Sequence, residues 1–487
     1  MTSLQLLLII TGYFSLLMAI SWLTSRNSRD TTYFDGNRSS PWFLVAFGMI
    51  GSGISAVSLV SIPGNVGNNQ LFFFQFILGN LAGSAFIAFV LIPVYFRLQL
   101  VSIYGYLNTR FGPVTYKTGS MIFLVSQSFG AALRLLLSVK ILQYAFFDSL
   151  HIPYWLTIAV VLALIWLYTH RSGIRTIVWT DALQSAFLIT VIIISILSIR
   201  QALGLSFTGM LHAIATDPHT KFFDWDARSG TNFFKQFVSG FLIQVALVGL
   251  DQSMMQKTLT VRKATDARKN VLSFSFFIAG SQTLFLGLGV LMYLFAANKG
   301  IPLTVKDGRI QDTDALYPLL TLHYFGTTGA IAFLVAVVAS TFASIDACIT
   351  ALTTSFSYDF LAFESIPVAQ KNTIRYRVLL GVNLVMFCIV LAFWNSKGAI
   401  IDTIFDIAGY TYGPLLGLFL LGLFSRATLR EKRVPLACIA ATLLTYGIHE
   451  LLRRALRFDV GFLTIFINAL LTISFLLLLS RQRYDRP

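Results

Sequence analysis

Charge is what this chain has least of. Asp, Glu, Lys and Arg make up 12% of its 487 residues, about half of the roughly 25% usual in a soluble domain. With 56% hydrophobic residues, the sequence describes a polytopic membrane protein and leaves essentially no soluble domain over. Cysteine is also scarce. Cys348, Cys388 and Cys438 all lie inside apolar runs, no pair has metal-ligand spacing, and nothing suggests a disulfide framework. The six histidines fall mostly in loops and form no metal motif. A phosphate-binding loop, a Gly-rich dinucleotide turn, a Ser/His/Asp set and an HExxH motif are all missing. These absences argue against an enzyme and against a nucleotide-driven pump, so energy is expected from an ion gradient or from downhill movement. The net charge of +15 does not point to nucleic acid, because the basic residues sit in short loops between apolar runs.

A membrane-spanning helix needs roughly 20 apolar residues. About thirteen such runs are present, at 4–24, 42–64, 71–96, 118–146, 153–169, 177–199, 233–254, 271–297, 326–358, 376–394, 401–424, 434–451 and 459–480. The first lacks a basic start and a small-residue cleavage site before Arg26, so it reads as a retained span rather than a signal peptide. Twenty-three Lys and Arg residues fall in one set of alternate loops and ten in the other. The richer set, which includes Lys257, Arg262 and Lys263, is expected to be cytoplasmic. That places the chain in a bacterial-type inner membrane, with the N-terminus outside and the C-terminus inside. Arg453, Arg454 and Arg457 break the rule in the last pair of spans. Two long outer loops, about 200–232 and 298–325, remain; Ala315–Leu322 in the second reads as a short external helix.

One span is a poor continuous helix. In Phe47–Gly64, Gly51, Gly53 and Gly64 weaken the helical backbone and Pro63 removes a donor, while Ser52, Ser55, Ser58 and Ser61 recur at threes. In hydrocarbon, freed carbonyls are tolerated only against protein or around a bound ion or solute, and transporters place their sites in such interrupted helices. The alternative is a small-residue packing seam.

Ionisable groups inside spans are costly and mark function by default. Asp181, with Gln184 and Ser185 on the same helical face, forms an oxygen-rich cluster suited to Na⁺. Asp346 flanks a small-residue stripe that carries Ser340 and Ser344, and it either assists a cation site or pairs with a buried base. Arg134, near the middle of its span, either pairs with a buried acid such as Asp346 or Asp181 or binds an anionic solute. Lys140 and Lys235 lie near the outer surface and read as snorkelling. Gln75, Gln127 and Gln244 are amides that either contact solute or bridge helices.

Several segments coincide in order: Thr32–Ser39, Ser102–Gly112, Trp179-Thr180-Asp181, Asp251-Gln252 with Gln256-Lys257-Thr258-Leu259, and Gly409–Gly417. Together they resemble the sodium/solute symporter family over roughly residues 4–425. The resemblance implies a LeuT-type fold of two inverted five-helix repeats, at 42–199 and 233–424. Residues 1–41 would supply an extra N-terminal helix, 200–232 an external loop, and 425–487 two C-terminal helices. It implies a sodium site formed by backbone oxygens of Gly51, Ile54 and Ser340 with side chains at Ala343 and Ser344. Here Ala343 stands where the family usually has a serine. Asp181 matches an acidic residue on the inward ion path or at a second sodium site. Arg134 is similar in position to an arginine that sialic acid transporters use for the carboxylate, and Ser55, Ser58, Gln75 and Gln244 are expected to face the same solute.

The expected function is sodium-coupled import of a small organic solute, such as a sugar, a sugar acid like sialic acid, or a carboxylate, by a monomer in the lipid bilayer. The alternatives are a proton-coupled or uncoupled permease, which Ala343 keeps open, and a transporter-like sensor, for which the short tail from Arg481 leaves little room.

Overall fold

The computed structural model describes residues 12, 13, 15, 19, 40–169, 174–306, 308–396, 399–456 and 460–481. The motif Thr32–Ser39 and most of the run 4–24 lie outside them. Every other apolar run is a helix, as hydrocarbon demands of a segment that must satisfy its own backbone. The spans are α1 Trp42–Gly53 and α2 Ala56–Asn69, α3 Phe73–Arg97, α4 Pro113–Leu150, α5 Tyr154–Leu167, α6 Val178–Ala202, then α7 Phe233–Gly249 and α8 Gln252–Thr258, and α9 Ala264–Asn298. After the short external helix α10 Leu316–His323 come α11 Gly326–Phe360, α12 Ala369–Ala392, α13 Ile400–Phe424, α14 Glu431–Ala455 and α15 Gly461–Leu478. Among the described residues, nine helices are long and apolar enough to cross a membrane, and two bent pairs bring this to eleven. The count of thirteen expected from the sequence is therefore not reached among them; α5 is shorter and the first run lies outside.

The two bent pairs are the main architectural feature. α1 and α2 meet at 59° and α7 and α8 at 66°. The first break was expected around its glycines and Pro63. It falls at Ile54–Ser55, both in extended conformation, and Pro63 is accommodated inside α2. The second break was not expected. It follows a π-helical turn at Val245–Gly249, and Asp251 starts α8 by accepting from the backbone N–H groups of Ser253 at 2.8 Å and Met254 at 3.3 Å. A carboxylate at that position satisfies donors that a helix start leaves open. Pairing of the two breaks in corresponding spans is the pattern of a repeat.

Burial orders the layers. α11 has 83% of its most apolar window enclosed by protein, whereas α12 and α14 have 28%. α11 therefore stands at the centre, against α1, α2, α4, α6 and α8, and α12 and α14 form the lipid-facing flank. Asp181, Ser185 and Thr180 on α6 are all fully buried. α3 and α7 pack through glycines. A β-carbon on Gly79 would lie 2.1 Å from the Phe237 carbonyl oxygen, and one on Gly240 would lie 2.2 Å from that of Phe76. Small residues are the means by which helices approach where lipid supplies no hydrophobic drive.

That contact generates a test. Gly240→Ala forces two backbones apart and is expected to cost about 1–3 kcal/mol, read as a lowered melting temperature in detergent. Gly280→Ala, where nothing lies within 4 Å of the added carbon, is expected to be neutral.

Candidate functional site

The break in α1/α2 opens on a cavity of about 120 Å³. Ser52, Ser55 and Ser58, three of the four serines in the expected stripe, line it, together with Asn80, Arg134, Gln244 and Gln282. Phe76, Phe274 and Phe405 supply apolar wall. Ser61, the fourth serine, is fully buried elsewhere. Of the expected solute residues, Ser55, Ser58, Arg134 and Gln244 meet here; Gln244 also donates to Ser84 Oγ at 2.7 Å. Gln75 does not. Its amide nitrogen donates to Thr231 O at 2.8 Å and its oxygen accepts from Asp224 N at 3.0 Å. It pins the outer loop 200–232 to α3, because a buried amide takes whatever backbone partners lie closest.

Arg134 has no carboxylate within ion-pairing distance among the described residues. Its nearest polar contact is Cys348 Sγ at 3.5 Å, and Asp251 is close enough for its charge to be felt. Neither Asp181 nor Asp346 pairs with it; the buried acid within its electrostatic reach is Asp251. Three of the segments that carried the family resemblance, Ser102–Gly112, the one that begins at Asp251 and Gly409–Gly417, meet at the second break. Tyr412 donates to Asp251 Oδ2 at 2.9 Å. Gln127 donates to Ser253 Oγ at 3.2 Å. Gln252 bridges to Val101 O and accepts from Ile103 N, and Tyr104 donates to Leu250 O at 2.9 Å. Motifs 300 residues apart thus hold the second break open as a rigid frame.

The cavity is closed on two sides. On one side, Phe76 and Phe405 of its wall contact Phe73 and Phe462, with ring centroids 5.0–6.5 Å apart. Those last two rings line a larger vestibule of about 480 Å³, whose polar wall includes Asn65, Asp224, Gln236 and Asp402. On another side, next to Ser52, lies a charge cluster. Lys257 is fully buried and donates to both Asp181 Oδ2 and Ser52 Oγ, and Ser52 Oγ donates to the same carboxylate oxygen at 2.9 Å. Two expectations change here. Lys257 is a core residue and not a cytoplasmic-loop base, and Asp181 faces an ammonium where a free sodium ion was expected. Beside it, Gln184 donates to Tyr13 at 2.8 Å and Ser185 to Phe47 O at 2.9 Å. Asp346 is fully buried nearby, within electrostatic reach of Asp181 and Lys257. Lys235 is 7% exposed and donates to Ser229 O, so it anchors a loop and does not snorkel.

The other expected sodium ligands sit where α11 packs on both halves of the broken span. Gly51 and Ile54 are at the end of α1, where carbonyls lose their helical partners. Ser340, Ala343 and Ser344 are buried on α11. The hydroxyls of Ser340 and Ser344 donate to Val337 O at 3.0 Å and Thr341 O at 3.2 Å, which leaves their lone pairs free to accept a cation.

A profile described as Sodium:solute symporter family matches residues 33–430. The chain is similar to the sodium/iodide cotransporter of Homo sapiens, 25% identical over 438 residues that cover 85% of this chain and 65% of that protein. It is similar to the sodium-coupled monocarboxylate transporter 2 of Mus musculus, 24% identical over 86% of this chain and 67% of that protein. It is also similar to the sodium/sialic acid symporter SiaT of Proteus mirabilis, 22% identical over 85% and 84%. The chain spans about three-fifths to two-thirds of the length of several of these relatives. A solved structure of a Na⁺-coupled sialic acid symporter, in a substrate-bound outward-open state, superposes with a TM-score of 0.81 at 18% identity, covering 97% of this chain and 98% of that one. This likeness shows the fold.

Above the vestibule wall, Asp314 caps the start of α13 by accepting from Ile400 N at 2.9 Å. Burial raises its carboxyl to about 6, against the opposing pull of that hydrogen bond. The folded state therefore holds the proton more tightly than the unfolded chain. The associated stability is present below about pH 4, the unfolded value, and is lost as pH rises through about 6. Asp314→Asn keeps the acceptor and removes the charge. Its melting temperature is expected to stay level between about pH 4 and pH 7 while that of the parent falls relative to it.

Proposed function

The chain belongs to the sodium:solute symporter family, and on that premise we propose that it is a secondary-active transporter that couples sodium entry to import of a small organic anion by alternating access. The observation that carries the anion is Arg134: a guanidinium without an ion pair among the described residues, on the wall of the cavity at the broken span. A half-buried arginine among apolar helices is favoured by a carboxylate or similar group that meets it, and a planar fork suits a carboxylate. The relatives named for iodide, monocarboxylates and sialic acid share negative charge in their solutes. Size narrows the class. The cavity of about 120 Å³ lies below the roughly 300 Å³ at which drug-sized pockets begin, which favours a short carboxylate over a whole sugar acid.

In this reading sodium binds between the carbonyls of Gly51 and Ile54 and the α11 face of Ser340 and Ser344, with Ala343 contributing no hydroxyl. One ion there ties α1 to α11 and shifts the population toward the solute-binding state. The repeats run over 42–199 and 233–424, each opening with a bent pair. The protein sits in an inner membrane with its N-terminus outside and its C-terminus cytoplasmic, and it works as a monomer. Ala343 favours one second reading, a proton-coupled or uncoupled permease on the same fold.

A thermal-stability panel separates these readings. Ligand that binds only the folded state raises stability by about 2.7 kcal/mol at a hundred times its dissociation constant. Short carboxylates in NaCl are expected to raise the melting temperature, and matched choline chloride is expected to remove most of that gain. Arg134→Gln is expected to abolish the carboxylate response, and Ser344→Ala the sodium response. A carboxylate response of equal size in choline chloride would replace sodium coupling with the permease reading.

A further inference from the structure

The ammonium of Lys257 deserves a role of its own in the coupling scheme, because of where it comes from and what it joins. It is carried by α8, the half-helix after the second break, and it lands on Ser52, in the last turn before the first break, and on Asp181 of α6. One fully buried cation therefore joins both bent spans to a third helix. Its surroundings are those of a cation site. Asp181 Oδ2 and Ser52 Oγ contact it directly, Asp181 Oδ1 is buried with no hydrogen-bond partner, and both Asp346 oxygens are buried with no side-chain partner.

We propose that Lys257 is a tethered cation: its side chain occupies, within the protein's own fold, a monovalent-cation site built by Asp181 and Ser52, so that no free ion is needed there. An ammonium and a sodium ion carry the same charge and both are served by carboxylate and hydroxyl oxygens. The difference is that the ammonium is attached and cannot leave, so this site contributes charge balance and helix–helix contact without adding an ion to each transport cycle. Removing the ammonium leaves a carboxylate buried beside a second one, which costs several kcal/mol unless a cation replaces it. Sodium from solution is the replacement available. The inference rests on the sodium-coupled reading for its effect on transport, and it stands apart from that reading in its effect on stability.

Two measurements on the full chain test it. First, Lys257→Gln is expected to melt several degrees below the parent in choline chloride and to recover at least half of that loss in NaCl at equal ionic strength. The neutral double variant Lys257→Gln/Asp181→Asn is expected to fold in either salt and to show no such extra recovery. Second, in proteoliposomes the Hill coefficient for sodium activation of solute uptake is expected to rise from about one in the parent toward two in Lys257→Gln, since the coefficient is bounded by the number of sites. Equal melting of Lys257→Gln in the two salts overturns the proposal. So does failure of Lys257→Gln to fold in NaCl when the neutral double variant folds, because sodium then cannot stand in for the ammonium. If instead the parent takes up solute with no sodium dependence while Lys257→Gln is still rescued by sodium, the tethered cation stands and the sodium-coupled function falls.

Discussion

A lysine fully enclosed in a protein that is itself enclosed in hydrocarbon imposes conditions on everything around it. An unpaired ammonium at that depth is too costly to keep, so the carboxylate of Asp181 must be within reach, and α6 must lie where it can offer it. Ser52 must present its hydroxyl from the end of α1, which is possible because Gly48 and Gly51 let that helix lie against the α6 backbone; a β-carbon on either would fall 2.7 Å from a carbonyl oxygen of Val178 or Asp181. The helix breaks then follow. α8 carries Lys257 inward only because the chain bends by 66° at Asp251, and that bend is held by Tyr412, Gln127 and Tyr104 from three other elements. The ion pair, the glycine contacts and the bend form a single geometric problem with a single solution.

The architecture was legible where a physical rule acts on contiguous residues. Hydrocarbon thickness sets the length of apolar runs, and the helices in the described part of the chain fall on those runs. Gly51 and Gly53 announced the first break. The α11 face of small residues announced close packing, and α11 is the most enclosed helix. Ser55, Ser58, Arg134 and Gln244, distant in sequence, were all expected at the solute site and do share one cavity.

What was not legible depends on tertiary partners. Lys257 stands five residues before Arg262 and six before Lys263, and in sequence it shares their look of a cytoplasmic cluster; the turn 259–262 after α8 separates the buried lysine from the two exposed bases. Asp251 did carry a signal, an acid just before a helix start and just after Gly249, but in an apolar context it read as the end of a span and not as a cap. Gln75 resembles Gln244 in every local respect. Its different fate comes from the loop 224–231 that folds over it, which no periodicity in α3 can announce. The rings Phe405 and Phe462 belong to apolar runs in which any phenylalanine looks like any other, and their meeting with Phe73 and Phe76 exists only in three dimensions.

That meeting separates two properties that are usually discussed together. The four rings come from α3, α13 and the turn that opens α15, whereas the polar residues around the cavity come from α1, α2, α3, α4, α7 and α9. Phe462 sits beside Gly461, whose left-handed backbone brings it against Gly230 of the loop 200–232. Substitutions in the C-terminal helices can therefore reach this ring cluster through Phe462 without touching the polar residues around the cavity.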